Sequence, residues 1–197
     1  MANILTDTFP TSLFISGEEY PIHWDAKHCI QIMIELEKHD LTVNEQLIYL
    51  INALLDTEEL PPDTDEAIRQ ALWFMHGGQN LSDAQTKADP VRTFSYEKDA
   101  ELIYSAFSTR HGIDLAGVDM HWWRFRALFT DLGDTTFAHL CDLRRRYKLG
   151  ECNKHELELI ADMGSEFVIE DASEQLDWEK YKNMTAFEAA EMAGQHG

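Results

Sequence analysis

The sequence predicts a mainly α protein, a helical bundle of about six to seven helices with a small N-terminal β-hairpin. Three observations carry that expectation. Apolar residues recur at spacings of three and four in segment after segment, a capping residue (Asp, Asn, Ser or Thr) stands ahead of most of them, and Gly or Pro-Pro follows several. At 197 residues, with 44% hydrophobic and 11% aromatic side chains, the chain can bury a sizeable core.

Residues 1–24 depart from the helical period. Leu13-Phe14-Ile15 and Tyr20-Pro21-Ile22 flank Ser16-Gly17, the pattern of two short strands about a tight turn. A lone hairpin is marginal in water, so this one must pack on something. Residues 25–76 form a first helical half. Asp25 caps a helix running to about Lys38 through Ile30, Met33, Ile34 and Leu36. Asn44 caps a second, with Leu47, Ile48, Leu50, Ile51, Leu54 and Leu55, which ends before Pro61-Pro62. Asp63 or Thr64 starts a third, carrying Ile68, Leu72 and Trp73 and stopping at Gly77-Gly78. Residues 77–93 are polar, offer little to bury, and read as a flexible linker.

Residues 94–150 form a second helical half. Ser95 serves as an N-cap, and Tyr96, Ala100, Ile103, Tyr104 and Phe107 keep helical spacing up to Gly112. Asp119 caps the helix of the double tryptophan, Gly133 closes it, and Thr135 or Thr136 opens another through Phe137, Leu140 and Leu143 to Leu149. The short Gly133-Asp134 joint makes these two helices neighbours. Residues 151–197 begin with a helical pattern from Asn153 through Leu157, Leu159 and Ile160 and lose their apolar period after Gly164. Twelve acids against three lysines make this end a solvated acidic tail, suited to a partner.

The stretch from Met120 to Phe129 is the most informative one. Trp122 and Trp123 stand side by side, and neighbours on a helix point about 100° apart, so one patch serves two surfaces. Trp122, Phe125 and Phe129 share a face and read as core, together with Tyr104 and Phe107 of the preceding helix. Trp123 lies on the flank beside Arg124, where either the edge of the core or an interface hot spot accounts for it. Arg124 and Arg126 join Arg144, Arg145, Arg146 and Lys148 to gather six of the sixteen cations of the chain. Such a cluster meets an acidic segment, its own tail or a second subunit, or else complements a helix C-terminus. The partner-binding set expected from sequence is therefore Trp123, Arg124, Arg126, Arg144, Arg145 and Arg146. On that reading, Trp123→Ala with Arg124→Ala weakens binding and leaves the fold intact.

Charge and motifs narrow the classes of function. A formal net charge of −20 repels a polyanionic backbone, so nucleic acid and anionic membranes are excluded as expected partners, while a basic partner would be attracted. Three cysteines at unrelated spacings and an N-terminus without a basic, then apolar, leader suggest reduced thiols in a cytoplasm. No apolar run approaches the roughly 20 residues that a membrane-spanning helix needs. There is no G-x-S-x-G elbow and no G-x-G-x-x-G, and Gly77-Gly78 lacks a following lysine, so neither a catalytic residue nor a cofactor is expected. His139-x-Cys141 with Cys152-x-x-His155 offers zinc-ligand types. However, His139 and Cys141 point apart on a helix, so no metal is expected. Lys154-His155-Glu156 begins a zincin motif, but Leu159 stands where the second histidine belongs. Acid pairs such as Glu18-Glu19 and Glu58-Glu59 read as a solvated face.

Three blocks carry a family resemblance. They are Phe94-x-Tyr96-x-x-Asp99-Ala100-x-Leu102-Ile103-Tyr104-x-Ala106-Phe107, then Gly112-Ile113-Asp114-Leu115, then His121-Trp122-Trp123-x-Phe125-x-Ala127-Leu128-Phe129. With the Leu5-Thr6-Asp7-x-Phe9-Pro10 opening, they resemble the gene-product-fifteen family of bacteriophages and prophages, strongly over Tyr96 to Leu143 and hardly after about residue 165. That family is encoded in the tail module of long-tailed phages, beside the tape-measure gene. The resemblance implies a non-enzymatic tail assembly chaperone in the host bacterial cytoplasm, with the tape-measure protein as partner, the tail-tube protein as a further one, and self-association left open. The alternatives are a minor structural component of the tail or connector and, less favoured, an acidic DNA mimic. Against the mimic, the acids are scattered and the basic run at 144–148 would spoil the surface.

Overall fold

A computed structural model describes residues 5–37, 41–79 and 91–169. The chain divides into two units. The first takes the described residues up to 79 together with Met120–Trp123, and the second takes 91–119 and 124–169. Most of the linker expected at 77–93, the acidic tail beyond 169 and the end of the first helix at Lys38 lie outside the described residues. Among those residues are seven helices and one two-stranded antiparallel sheet, a mainly α fold with a small N-terminal hairpin.

In the first unit, β1 (Ser12–Ile15) and β2 (Glu18–Pro21) pair with Leu13 opposite Tyr20 and Phe14 opposite Glu19. The turn is Ser16 and Gly17, both at positive φ (51° and 87°), the geometry whose twist suits a two-residue hairpin. Alternation then decides burial: Leu13 and Ile15 are buried while Phe14 is exposed. The hairpin is docked by backbone bonds, with His23 N–H donating to Leu54 O (2.9 Å) and Asp56 N–H to Pro21 O (3.0 Å).

Helix α1 (Ala26–Leu36) is capped by Asp25, whose carboxylate accepts the His28 N–H at 2.9 Å. Helix α2 (Val43–Leu54) is capped by Thr42 and not by Asn44, because only Thr42 stands three residues before an acid that can reciprocate. Thr42 and Glu45 form a capping box, with the Glu45 carboxylate reaching back to the Thr42 N–H at 2.7 Å. Helix α3 (Thr64–Met75) is capped by Asp63. Ile32, Leu50, Ile51, Leu54, Leu72 and Phe74 form the buried interior with the inward strand residues.

The second unit holds α4 (Ala100–His111), the body of α5 (Trp122–Thr130), α6 (Thr136–Lys148), α7 (Lys154–Met163) and a 3-10 turn at Gly164–Glu166. Two caps differ from the sequence reading. Ser95 accepts the Lys98 N–H (3.3 Å) and so caps a single turn, after which α4 starts at Ala100. Asp119 lies too early for α5. His121 takes the position instead, its Nδ1 accepting the Trp123 N–H at 3.1 Å. Gly112 ends α4 in the left-handed region, Thr135 caps α6 through the Ala138 N–H, and Asn153 with Glu156 forms a capping box on α7.

The double tryptophan also departs from the sequence division, since Trp122 and Trp123 open a helix of the second half yet pack in the first unit. Gly78 records how closely. It sits at φ +78°, and a Cβ there would lie 2.7 Å from Cη2 of Trp123. Gly78→Ala is expected to destabilise the chain by roughly 1–3 kcal/mol, through strain at a left-handed backbone and displacement of an indole, read as a lower urea midpoint.

Candidate functional site

The aromatic hub of the first unit is built on carbonyls at a helix end. The last carbonyls of a helix have no partner within it. At the end of α3 those of Phe74 and Met75 accept the indole N–H groups of Trp123 (2.8 Å) and Trp122 (3.0 Å) respectively. Two adjacent tryptophans thus cap two adjacent carbonyls. Backbone bonds fix the approach, with Trp122 N–H donating to Trp24 O (2.9 Å) and Ala26 N–H to Met120 O (2.8 Å). Around the indoles, Trp73 meets Trp123 edge-on at 5.2 Å, and Phe9 and Trp24 lie on the His121 ring at 4.7 and 5.6 Å.

His121 locks this hub in one protonation state. Its Nδ1 accepts from the Trp123 N–H, so Nε2 carries the proton and donates to Pro10 O at 2.9 Å, a neutral tautomer used on both sides. Burial lowers its pKa, and the bond to the Pro10 carbonyl opposes that shift only in part.

Trp123 is therefore a correction to the sequence reading. Only 3% exposed and bonded through its indole, it is interior to the hub and offers no free docking face. Its replacement opens a cavity and leaves the Phe74 carbonyl without the indole.

In the second unit one residue of the basic run, Arg144, is likewise turned inward. Arg144, expected at a surface, is 1% exposed and uses all five of its N–H donors. Nη1 donates to Asp99 Oδ2 (2.7 Å) and Thr93 O (3.2 Å), Nη2 to Asp99 Oδ1 (3.0 Å) and Glu166 O (3.0 Å), and Nε to Phe167 O (2.8 Å). Arg146 is shared between Asp142 (2.8 Å) and Glu156 of α7, and its bond to Glu156, with that from the Asn153 N–H, holds the Glu156 carboxyl below its usual range. Arg126 is half-buried, its pKa lowered by desolvation, while Arg124 and Arg145 are exposed. The cations thus differ in their surroundings: Arg144 is buried, Arg126 and Arg146 are half-buried, and Arg124 and Arg145 are exposed.

Of the expected core aromatics, Phe107 and Phe125 are fully buried and stacked at 5.0 Å, and Trp122 is 2% exposed. Phe129 is half-buried but touches Phe94, Phe125 and Phe137 at 5.1–5.7 Å. Tyr104 is a second correction. Ile103, Ala106 and Phe107 fill the inward face of α4, which leaves Tyr104 on its flank, 44% exposed and donating to Asp114 at 2.9 Å. His139 lies 3.7 Å from Asp134, and burial pushes the Cys141 thiol up to about 11. Among the described residues no group of three or more His, Cys, Asp or Glu is gathered as a metal site.

Sequence reasoning missed Asp99, Lys98, His121 and Phe167. Asp99 is 45 residues from Arg144, too far for any spacing rule, and Phe167 is a single aromatic in an acidic stretch. His121 carried a faint signal, a polar ring just ahead of two indoles.

These arrangements bind the chain to itself and define a mainly α protein with a small N-terminal hairpin. The profile of the family described as Bacteriophage Gp15 protein matches residues 5–169, and the chain belongs to that family. It is thereby a bacteriophage protein of the structural and morphogenetic class, a class not known for enzymatic activity. No curated protein and no solved structure matches the chain. Among the described residues no helix is long and apolar enough to cross a membrane.

Asp99→Asn removes the carboxylate from a buried guanidinium and is expected to cost about 3–5 kcal/mol, read as a lower urea midpoint by circular dichroism. The pH dependence follows from His121. Its folded pKa lies below the ordinary 6.5, so the unfolded chain binds a proton first as pH falls. Stability is full above about pH 6.5 and is lost as pH drops through that value toward the folded pKa. Between about pH 7.5 and about pH 5.5 the urea midpoint of the wild-type chain should fall further than that of His121→Gln.

Proposed function

We propose that this chain is a tail assembly chaperone, a non-enzymatic protein that binds and solubilises the tape-measure protein during long-tail morphogenesis. The observation that carries the reading is the family match over residues 5–169, in a family that the sequence resemblance ties to the tail module. Two physical features support it. With sixteen cations against thirty-six acids the chain is strongly anionic, which keeps a complex with an apolar partner in solution. Helix α7 carries Leu157 and Leu159, 46% and 48% exposed, among its acids, and each offers an apolar contact on an otherwise charged surface.

The test is co-expression with the tape-measure protein of the same tail module, followed by affinity capture and size-exclusion chromatography with light scattering. The expected outcome is a soluble tape measure that co-elutes with several copies of this chain and is precipitated without it. Failure of the two to associate would reject the chaperone reading.

A further inference from the structure

The small sheet of the first unit has two edges, and the chain treats them differently. The Ile22 N–H donates to Thr11 O at 3.1 Å, while Leu13 lies opposite Tyr20 and Ile15 opposite Glu18. Bonded and non-bonded pairs alternate along an antiparallel ladder, so Leu13 and Ile15 bond to β2, and Ser12 and Phe14 turn their N–H and C=O groups away from it. On β2 the same alternation turns Glu19 and Pro21 outward. There Pro21 O accepts the Asp56 N–H at 3.0 Å, Pro21 has no N–H to offer, and Ile22 bridges to Leu55. Along β1, among the described residues, no partner takes the outward main-chain groups of Ser12 or Phe14.

Sequence sharpens the contrast. Edge strands are ordinarily guarded by charge, by proline or by a covering segment. The β2 edge has all three, in Glu18 and Glu19, Pro21, and the stretch at Leu55 and Asp56. The β1 edge reads Ser-Leu-Phe-Ile, carries neither charge nor proline, and leaves Phe14 62% exposed on the outer face. Its guard is confined to the turn, where Glu66 of α3 accepts the Ser16 N–H at 2.8 Å. Main-chain donors and acceptors spaced two residues apart along an open edge match another extended strand.

We propose that the open edge of β1 pairs antiparallel with β1 of a second copy, which joins the two hairpins into one sheet across a two-fold axis. The occupant follows from the edges. Each copy has one unguarded edge and pairing consumes both, so the assembly closes as a dimer and does not run on as a fibre. The register follows from bonds already made. A two-fold at Phe14 would set Ser12 against the partner's Ser16, whose N–H is held by Glu66. A two-fold at Leu13 sets Ser12 against the partner's Phe14, and each such pair exchanges both N–H···O=C bonds. No charge lies on the paired strands. The acids of β2 in the two copies stand three strand spacings apart, about 14 Å, beyond the Debye length of about 8 Å at physiological salt. The pairing is of the chain with itself, so its failure leaves the tape-measure reading untouched.

Site-resolved hydrogen exchange on the full-length chain tests the pairing directly. Raising the protein from about 10 μM to about 1 mM should slow exchange of the Phe14 amide at least about tenfold and leave that of Glu19, which faces outward on β2, unchanged. A Phe14 amide whose exchange does not depend on concentration would overturn the proposal. Sedimentation equilibrium supplies the second arm. Phe14→Pro removes an outward N–H and no bond within the hairpin, a change that an edge strand tolerates, whereas Phe14→Thr removes the ring and keeps the N–H. The dimer dissociation constant of Phe14→Pro should exceed that of Phe14→Thr by at least about tenfold. Equal constants would assign the contact to the ring and overturn strand pairing, as would a wild-type chain that is monomeric at about 1 mM. If Phe14→Pro loses its helical signal, the exchange measurement decides alone.

Discussion

Burying a hydrogen-bond donor obliges the chain to bring an acceptor to it, and in this protein that obligation organises each unit. In the second, the guanidinium of Arg144 has five donors and no water to satisfy them. Its acceptors come from the chain just before α4 and the 3-10 turn after α7, with Thr93 and Asp99 on one side and Glu166 and Phe167 on the other. A bidentate carboxylate neutralises the charge, and three carbonyls finish the shell. Those segments are far apart in sequence and are placed by one side chain. Removing a partner costs more than the pair contributes, since an uncompensated buried charge remains.

The first unit solves the same problem with indoles. A helix end presents carbonyls that need donors, and a buried tryptophan presents a donor that needs a carbonyl. Joining Trp122 and Trp123 to Met75 and Phe74 settles both deficits, and His121 completes the set by accepting from the backbone that positions Trp123. The hub is apolar by area and polar in its fastening, which gives it one arrangement where a purely apolar cluster would allow several.

The surface is the complement of this inward use of polar groups. Arg144 is spent on Asp99 inside the second unit, and over the whole chain sixteen Lys and Arg stand against thirty-six Asp and Glu. A strongly anionic chain disfavours polyanions. Exposed Leu157, Leu159 and Val168 stand out on that exterior for being apolar.

Local rules made much of the fold legible. Period, caps and breakers place the hairpin about Ser16-Gly17, the starts at Asp25, Asp63 and Asn153, and the stop at Gly112, because each depends on residues a turn apart. Where two capping residues competed, as at Thr42 and Asn44, the reciprocal acid at Glu45 decided. The site was less legible. A helical face is about 100° wide, so a flank residue such as Tyr104 or Trp123 sits at the margin of any periodicity argument. A neighbouring element covers one and leaves the other in water. By itself, then, the sequence determined the class, the elements, the charge and the family. Tertiary structure alone decided that Arg144 and the second tryptophan lie inside, since burial is fixed by which distant carbonyls and carboxylates arrive, and no local spacing encodes that.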